Sequence, residues 1–168
     1  MSTTQPLRLL YVAFDQLSMN AGVLKDANPE SDVVVMVESE RMVTGRPWHK
    51  ERLFFLISSA RHFAQALRES GFEVHYTKSP TTNIGLEAIM GKLGIATILA
   101  MEPASFEQTR ALKSLGVQFF ENDLFVTSRK DFSAWAGSQK TFVMENFYQA
   151  QRKRLNILMS DGKPVGGR

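Results

Sequence analysis

The sequence has no Cys among its 168 residues. That excludes a disulfide scaffold, an iron–sulfur cluster held by this chain, a Cys-ligated zinc and a thiol nucleophile. Long apolar runs are lacking too, since none approaches the roughly 20 residues that a membrane-spanning helix needs. The stretch 9–14 is too short for a signal peptide and reads as a strand. Phosphate-binding signatures are also missing. No Gly-x-Gly-x-x-Gly follows the first apolar run, where Phe14-Asp15-Gln16-Leu17 stands. Five residues separate Gly85 from Gly91 where a P-loop has four, and Leu93 replaces its Ser or Thr. The three histidines, His49, His62 and His75, match no metal spacing and read as packing or surface residues. With no Gly-x-Ser-x-Gly elbow either, no catalytic residue and no metal ligand is assigned.

What is present describes a soluble, cytoplasmic, globular domain with no membrane partner. The chain is 43% hydrophobic, carries twelve Phe, and is long enough to build a core without staples. The net charge of +3 is unevenly spread. Residues 1–128 hold twelve basic and fourteen acidic side chains, and residues 129–168 hold eight and three. The last segment therefore carries the whole positive excess.

Short apolar runs alternate with helical patterns. Strands are predicted at 8–14, 32–38, 72–76, 95–101 and 117–121. Helices are predicted at 48–70, 83–93 (capped by Asn83) and 105–115, each followed by Gly. In the longest helix Leu53, Leu56, Ile57, Ala60, Phe63, Ala64 and Leu67 form one apolar stripe. Strands separated by helices imply a parallel sheet covered on both sides. Right-handed crossovers then make a Rossmann-like, doubly wound, five-stranded α/β fold the economical solution. After Asp123 the alternation stops. Helices are predicted at 129–136 and 142–158, and 160–168 reads as linker or turn. The expected organisation is an α/β domain at 7–128 with a helical extension and linker at 129–168.

Ligands of such sheets sit outside the carboxyl ends of the strands. Those ends carry Phe14, Asp15 and Gln16, then Val37 and Glu38, then Glu102 and Pro103. Their polar groups either bond a heterocycle or cap neighbouring helices. The segment from Met144 to Tyr148, followed by Arg152, Lys153 and Arg154, joins aromatics to a basic cluster. Such a segment can contact phosphates and stack on bases, or be a core stripe with a solvated face.

Several short motifs then fall in one order. They are Asp15-Gln16-Leu17, His49-Lys50, Arg61-His62-Phe63, Glu102-Pro103, Phe125, Phe132 with Trp135, Met144-Glu145 with Phe147-Tyr148, and the closing Pro164 to Arg168. Over residues 7–168 the chain resembles the amino-terminal domain of the bacterial photolyase-related proteins, the iron–sulfur branch of the photolyase/cryptochrome family. The resemblance implies an antenna domain that docks on a helical domain holding FAD and a 4Fe–4S cluster. The whole protein would carry out light-driven, FAD-dependent repair of pyrimidine photoproducts in DNA, or sense blue light. The flavin chemistry would lie in the helical domain, so this chain alone is expected to be inactive.

The antenna implied is 6,7-dimethyl-8-ribityllumazine, in a pocket lined by Phe14, Asp15, Gln16, Val37, Glu38, Met42 and Leu56. Arg152, Lys153 and Arg154 are the candidates for DNA contact. Similar proteins usually carry Gly where this chain has Phe14, and often a second acid where it has Met42. Phe fills space that a ring would use, and Met cannot bond a lumazine edge, so a different chromophore or none stays open. Two other readings stand beside the resemblance. One is a free-standing Rossmann-like regulatory domain that binds a nucleotide or small ligand. The other is a structural module whose amphipathic helix and terminal aromatics serve a partner domain.

Overall fold

The computed structural model describes residues 8–166, which form two compact units divided between Leu124 and Phe125. In the first unit, β1 (Arg8–Tyr11), β2 (Asp32–Ser39), β3 (Glu73–Ser79), β4 (Ile98–Met101) and β5 (Gln118–Phe120) form one sheet. Its order is β3-β2-β1-β4-β5 and every pairing is parallel. Four helices accompany it: α1 (Glu40–Thr44), α2 (Lys50–Glu69), α3 (Thr82–Leu93) and α4 (Phe106–Lys113). The Rossmann-like α/β fold read from the sequence is the one observed.

Strand alternation divides the core into two layers. Leu9, Tyr11, Ala13, Val33, Val35, Val37, Ile98 and Ala100 face Leu86 and Ile89 of α3 and Leu112 of α4. Leu10, Val12, Phe14, Val34 and Met36 face Ala60, Ala64 and Leu67 of α2, with Val23 and Leu24 beside them. The sheet is therefore buried on both sides, which is why its inner strands read as unbroken apolar runs. At the amino end, Arg8 pins β1 to its register partner Asp32 through two bonds of 2.6 Å.

Several boundaries differ from the sequence pattern. No α-helix joins β1 to β2; the crossing is made by a short 3-10 turn, Gly22–Leu24. Gly22 has φ +55°, and a Cβ there would lie 2.8 Å from Met101, so the turn needs glycine. The cap of α3 is Thr81, whose hydroxyl accepts from the Ile84 amide at 3.3 Å. Asn83, the expected cap, instead donates to the Ala111 carbonyl at 2.9 Å. The strand expected at 95–101 pairs only over Ile98–Met101.

The second unit contains α5 (Arg129–Gly137), α6 (Met144–Leu155) and a hairpin of β6 (Met159–Ser160) with β7 (Lys163–Pro164). Helix α6 is shorter than the apolar pattern suggests, because Asn156 turns left-handed at φ 53°. Asp161 and Gly162 both have positive φ, the turn chemistry that closes a two-residue hairpin. Trp135 gathers the aromatics: its ring lies 4.9 Å from Phe147, 5.8 Å from Phe132 and 6.4 Å from Phe142. No residue of α5 or α6 is fully buried. Gly167 and Arg168, the end of the closing motif, lie outside the described residues, as does residue 7.

Candidate functional site

The densest polar construction in the first unit is centred on Glu38, near the carboxyl end of β2. Arg61 of α2 donates to its carboxylate from Nε at 3.2 Å and from Nη2 at 3.0 and 2.8 Å. Tyr76 of β3 donates its phenolic hydrogen to Oε2 at 2.8 Å. Lys78, the register partner of Glu38, brings Nζ to 3.7 Å of Oε1. The Glu38 side chain is only 11% exposed, whereas those of Arg61 and Lys78 are 52% and 71% exposed.

Local structure explains the convergence. Tyr76 and Lys78 are two apart on β3 and project to the same side as Glu38, because β2 and β3 run parallel in register. Arg61 follows the buried Ala60 on α2 and reaches down from the helix flank onto the sheet. Burial works to raise the Glu38 carboxyl. The hydrogen bonds from Arg61 and Tyr76, with the charges of Arg61 and Lys78, outweigh it and hold the group below the usual carboxylate range. Burial, then the bond to Glu38, pushes the Tyr76 phenol up to about 12. The carboxylate is kept ionised and the phenol kept protonated.

The sequence-predicted site residues separate into groups. Phe14 is buried and stacks on Tyr76, with centroids 5.9 Å apart and planes inclined by 24°. Met42 packs on the same core layer, and Leu56 is half-buried on α2. Phe14, Met42 and the Tyr76–Glu38 pair therefore share one side of the sheet. Gln16 is buried, and its amide donates to the Met101 and Glu102 carbonyls at 3.4 and 3.2 Å, tying β1 to β4. Asp15 is exposed. Val37 lies on the opposite face, in the layer of α3.

In the second unit, Arg154 donates to the Val126 carbonyl at 2.9 Å and to the Gln151 amide oxygen at 2.9 Å. It also lies 3.5 Å from Asp131. Arg152 donates to the Ile157 and Leu158 carbonyls, and its guanidinium sits 5.6 Å from the Tyr148 ring. Arg152 ties the carboxyl end of α6 to the segment that follows it, and Arg154 ties α6 to Val126 and to Asp131 of α5. Lys153 between them is exposed.

Sequence reading did not find Arg61, Tyr76 and Lys78 as partners of Glu38. Their one signal is that Tyr76 and Lys78 share a strand face that parallel pairing brings to Glu38. Among the described residues no cluster of three or more Asp, Glu or His suits a metal ion, and no helix is long and apolar enough to cross a membrane. Chemically, the Glu38 site offers two flat rings, one ionised acceptor and three donors.

Residues 10–168 match the family described as Deoxyribodipyrimidine photo-lyase-related protein. The chain is 29% identical over 173 residues to a (6-4) photolyase of Agrobacterium fabrum (strain C58 / ATCC 33970). That similarity covers 96% of this chain and 34% of the photolyase, so the chain spans about a third of that relative's length. It is also 20% identical over 177 residues to an uncharacterized protein of Acanthamoeba polyphaga mimivirus, covering 98% of this chain and 85% of the viral one.

Proposed function

The chain belongs to the Deoxyribodipyrimidine photo-lyase-related protein family, and from that premise we propose that it is the amino-terminal, chromophore-binding antenna domain of such a protein. The observation that carries the reading is an aromatic pair, Phe14 and Tyr76, ending on one ionised carboxylate beside the carboxyl ends of parallel strands. A flat heterocycle needs a stacking face and an acceptor for a ring N–H, and these residues supply both.

The chemistry of the site fits 6,7-dimethyl-8-ribityllumazine. Phe14, Glu38, Met42 and Leu56 would hold its ring, with Asp15 and Gln16 at the rim of the pocket and Val37 backing the sheet. Bound there, lumazine would supply light absorption at wavelengths the protein itself does not absorb. Space is the constraint: Phe14 is only 8% exposed, so seating a ring against Tyr76 requires Phe14 to turn aside.

FAD and the 4Fe–4S cluster belong, in this reading, to a helical domain corresponding to the rest of the photolyase relative. The exposed apolar side chains of the second unit, Phe142 at 73% and Met144 at 78%, would face that domain. The whole protein would act on pyrimidine photoproducts in DNA under light. Of the basic run, Lys153 would supply the phosphate contact, while Arg152 and Arg154 are engaged by bonds within the second unit.

Loading the purified chain with lumazine, followed by gel filtration and an absorption spectrum, tests the proposal. A retained band beyond the protein aromatics supports it, and a filtrate with aromatic absorption alone overturns it. Light-driven repair of a (6-4) lesion by this chain alone would overturn the division of labour.

A second reading, a free-standing domain that binds a small ligand, is favoured by one observation: the viral relative consists largely of this region. Tight, light-independent binding of a nucleotide in place of lumazine would select it.

A further inference from the structure

The flank of α2 that looks toward the edge strand β3 carries two adjoining grooves that share Arg61. One, of about 440 Å³, is lined by Phe54, Ile57, Ser58, Arg61, His62 and Gln65. The other, of about 330 Å³, is lined by Arg61, Ala64, Arg68, Tyr76 and Lys78. The first is an open trough on α2 alone, and the second lies between α2 and β3. Their chemistry is graded from end to end. Phe54 is 76% exposed, although burying such a ring is strongly favoured, and it stands over the half-buried Ile57. At the other end Arg61, Arg68 and Lys78 line one groove with Tyr76.

The charges do not cancel. Facing these three cations is Glu38, which engages Arg61 and Lys78. The next nearest acid in sequence is Glu69, whose carboxylate accepts from Gln65 at 2.9 Å. Arg68 donates one bond to the Val74 carbonyl at 3.1 Å, which orients the guanidinium without neutralising it. Phe54 and Arg61 are seven residues apart on one helix face, about 10 Å along its axis. That separation suits an extended nucleoside diphosphate, with the base on Phe54 and Ile57 and the phosphates among Arg61, Arg68 and Lys78.

We propose that this groove is a second binding site, for a ligand that joins a flat base to phosphate. It shares Arg61, Tyr76 and Lys78 with the Glu38 site but opens to solvent, and it does not rest on the chromophore reading. Base and phosphate come together either in a free nucleotide or in one unit of a single strand, and the test separates them.

Calorimetric titration of the whole chain with ADP, adenosine, pyrophosphate and a short single-stranded oligonucleotide provides that test. The expected result is that ADP or the oligonucleotide binds at least about tenfold more tightly than adenosine or pyrophosphate, since ring and phosphate contribute separately. Tighter binding of the oligonucleotide than of ADP identifies the strand, and the reverse identifies the free nucleotide. Phe54→Ala and Arg68→Gln, both at exposed side chains, are each expected to weaken binding several-fold while leaving the circular dichroism and any lumazine band unchanged. Absence of binding by both ADP and the oligonucleotide overturns the proposal. So does pyrophosphate binding as tightly as ADP, or affinities that neither substitution moves.

Discussion

Tyr76 reaches across the parallel pairing to bond Glu38 at 2.8 Å, although its own register partner is Met36. The phenol thus leans two residues along the neighbouring strand. In doing so it presents one face to Phe14 and its hydroxyl to a carboxylate that Arg61 grips with two nitrogens. The contact joins the core layer under α2 to the charged groups at the sheet edge. Removing any one member therefore has a separable cost.

Tyr76→Phe keeps the ring on Phe14 and deletes only the bond to Glu38. A hydrogen bond to an ionised group contributes about 1.5–3 kcal/mol, and the partial exposure of this one argues for the lower end. The urea midpoint should fall by the equivalent of about 1.5 kcal/mol, with the slope of the transition unchanged. An unchanged midpoint would mean that Arg61 alone satisfies the carboxylate.

The same pair sets a signature in pH. The Glu38 carboxyl is lower in the folded chain than its ordinary 4.5, so its contribution is present above that value and fades as pH falls through the folded one. Tyr76 works at the other limb. Its phenol moves from 10 to about 12 on folding, so the protonated form favours the fold. That contribution is whole below pH 10 and is lost as pH rises from there to about 12. Urea midpoints measured across that window should drop less steeply in Tyr76→Phe than in the parent, and equal slopes would assign the alkaline loss to other groups.

The sheet was legible because its inner strands, buried on both faces, have no alternation to obscure them. Residues 33–37 are apolar without a break, and all are buried. Likewise the buried Ala60, Ala64 and Leu67 of α2 lie on the stripe read from the sequence. The cap of α3 was misplaced by two residues, because Asn83 and Thr81 both have capping chemistry and only the fold supplies Ala111 as a partner for the asparagine. The Glu38 cluster was half legible. A polar residue at the end of an apolar strand marks Glu38. Its partners come from positions 61, 76 and 78, which meet only after β3 has taken its place beside β2 and α2 has packed above them. Sequence spacing carries no record of that meeting.

Two glycines of α3 should respond oppositely to the same substitution. A Cβ on Gly85 would meet Val37 Cγ1 at 2.7 Å and Ser79 Cβ at 3.1 Å, so Gly85→Ala drives the helix off the sheet. Overpacking of this kind costs about 1–3 kcal/mol, more than the gain of about 1 kcal/mol in helix propensity. Gly91 has nothing within 4 Å of the same position, so Gly91→Ala should stabilise by about 0.5–1 kcal/mol. Thermal midpoints that move in the same direction for both would contradict the close approach of α3 to β2.

Phe14 occupies the centre of the proposed chromophore site. Its ring is buried against Tyr76, in the space that a bound heterocycle would take. Truncation to Ala removes a core aromatic, at a cost of about 3 kcal/mol from a fold whose total stability is on the order of 5–15 kcal/mol. The variant should therefore remain folded with a lowered thermal midpoint. If the cavity so made is the lumazine site, lumazine should raise that midpoint further in Phe14→Ala than in the parent chain. A ligand at about a hundred times its dissociation constant contributes close to 3 kcal/mol, enough to restore most of the loss. Retained lumazine after gel filtration should rise in step. A variant that gains no protection, and carries less lumazine than the parent, would identify Phe14 as the face on which the ring stacks rather than the residue that excludes it.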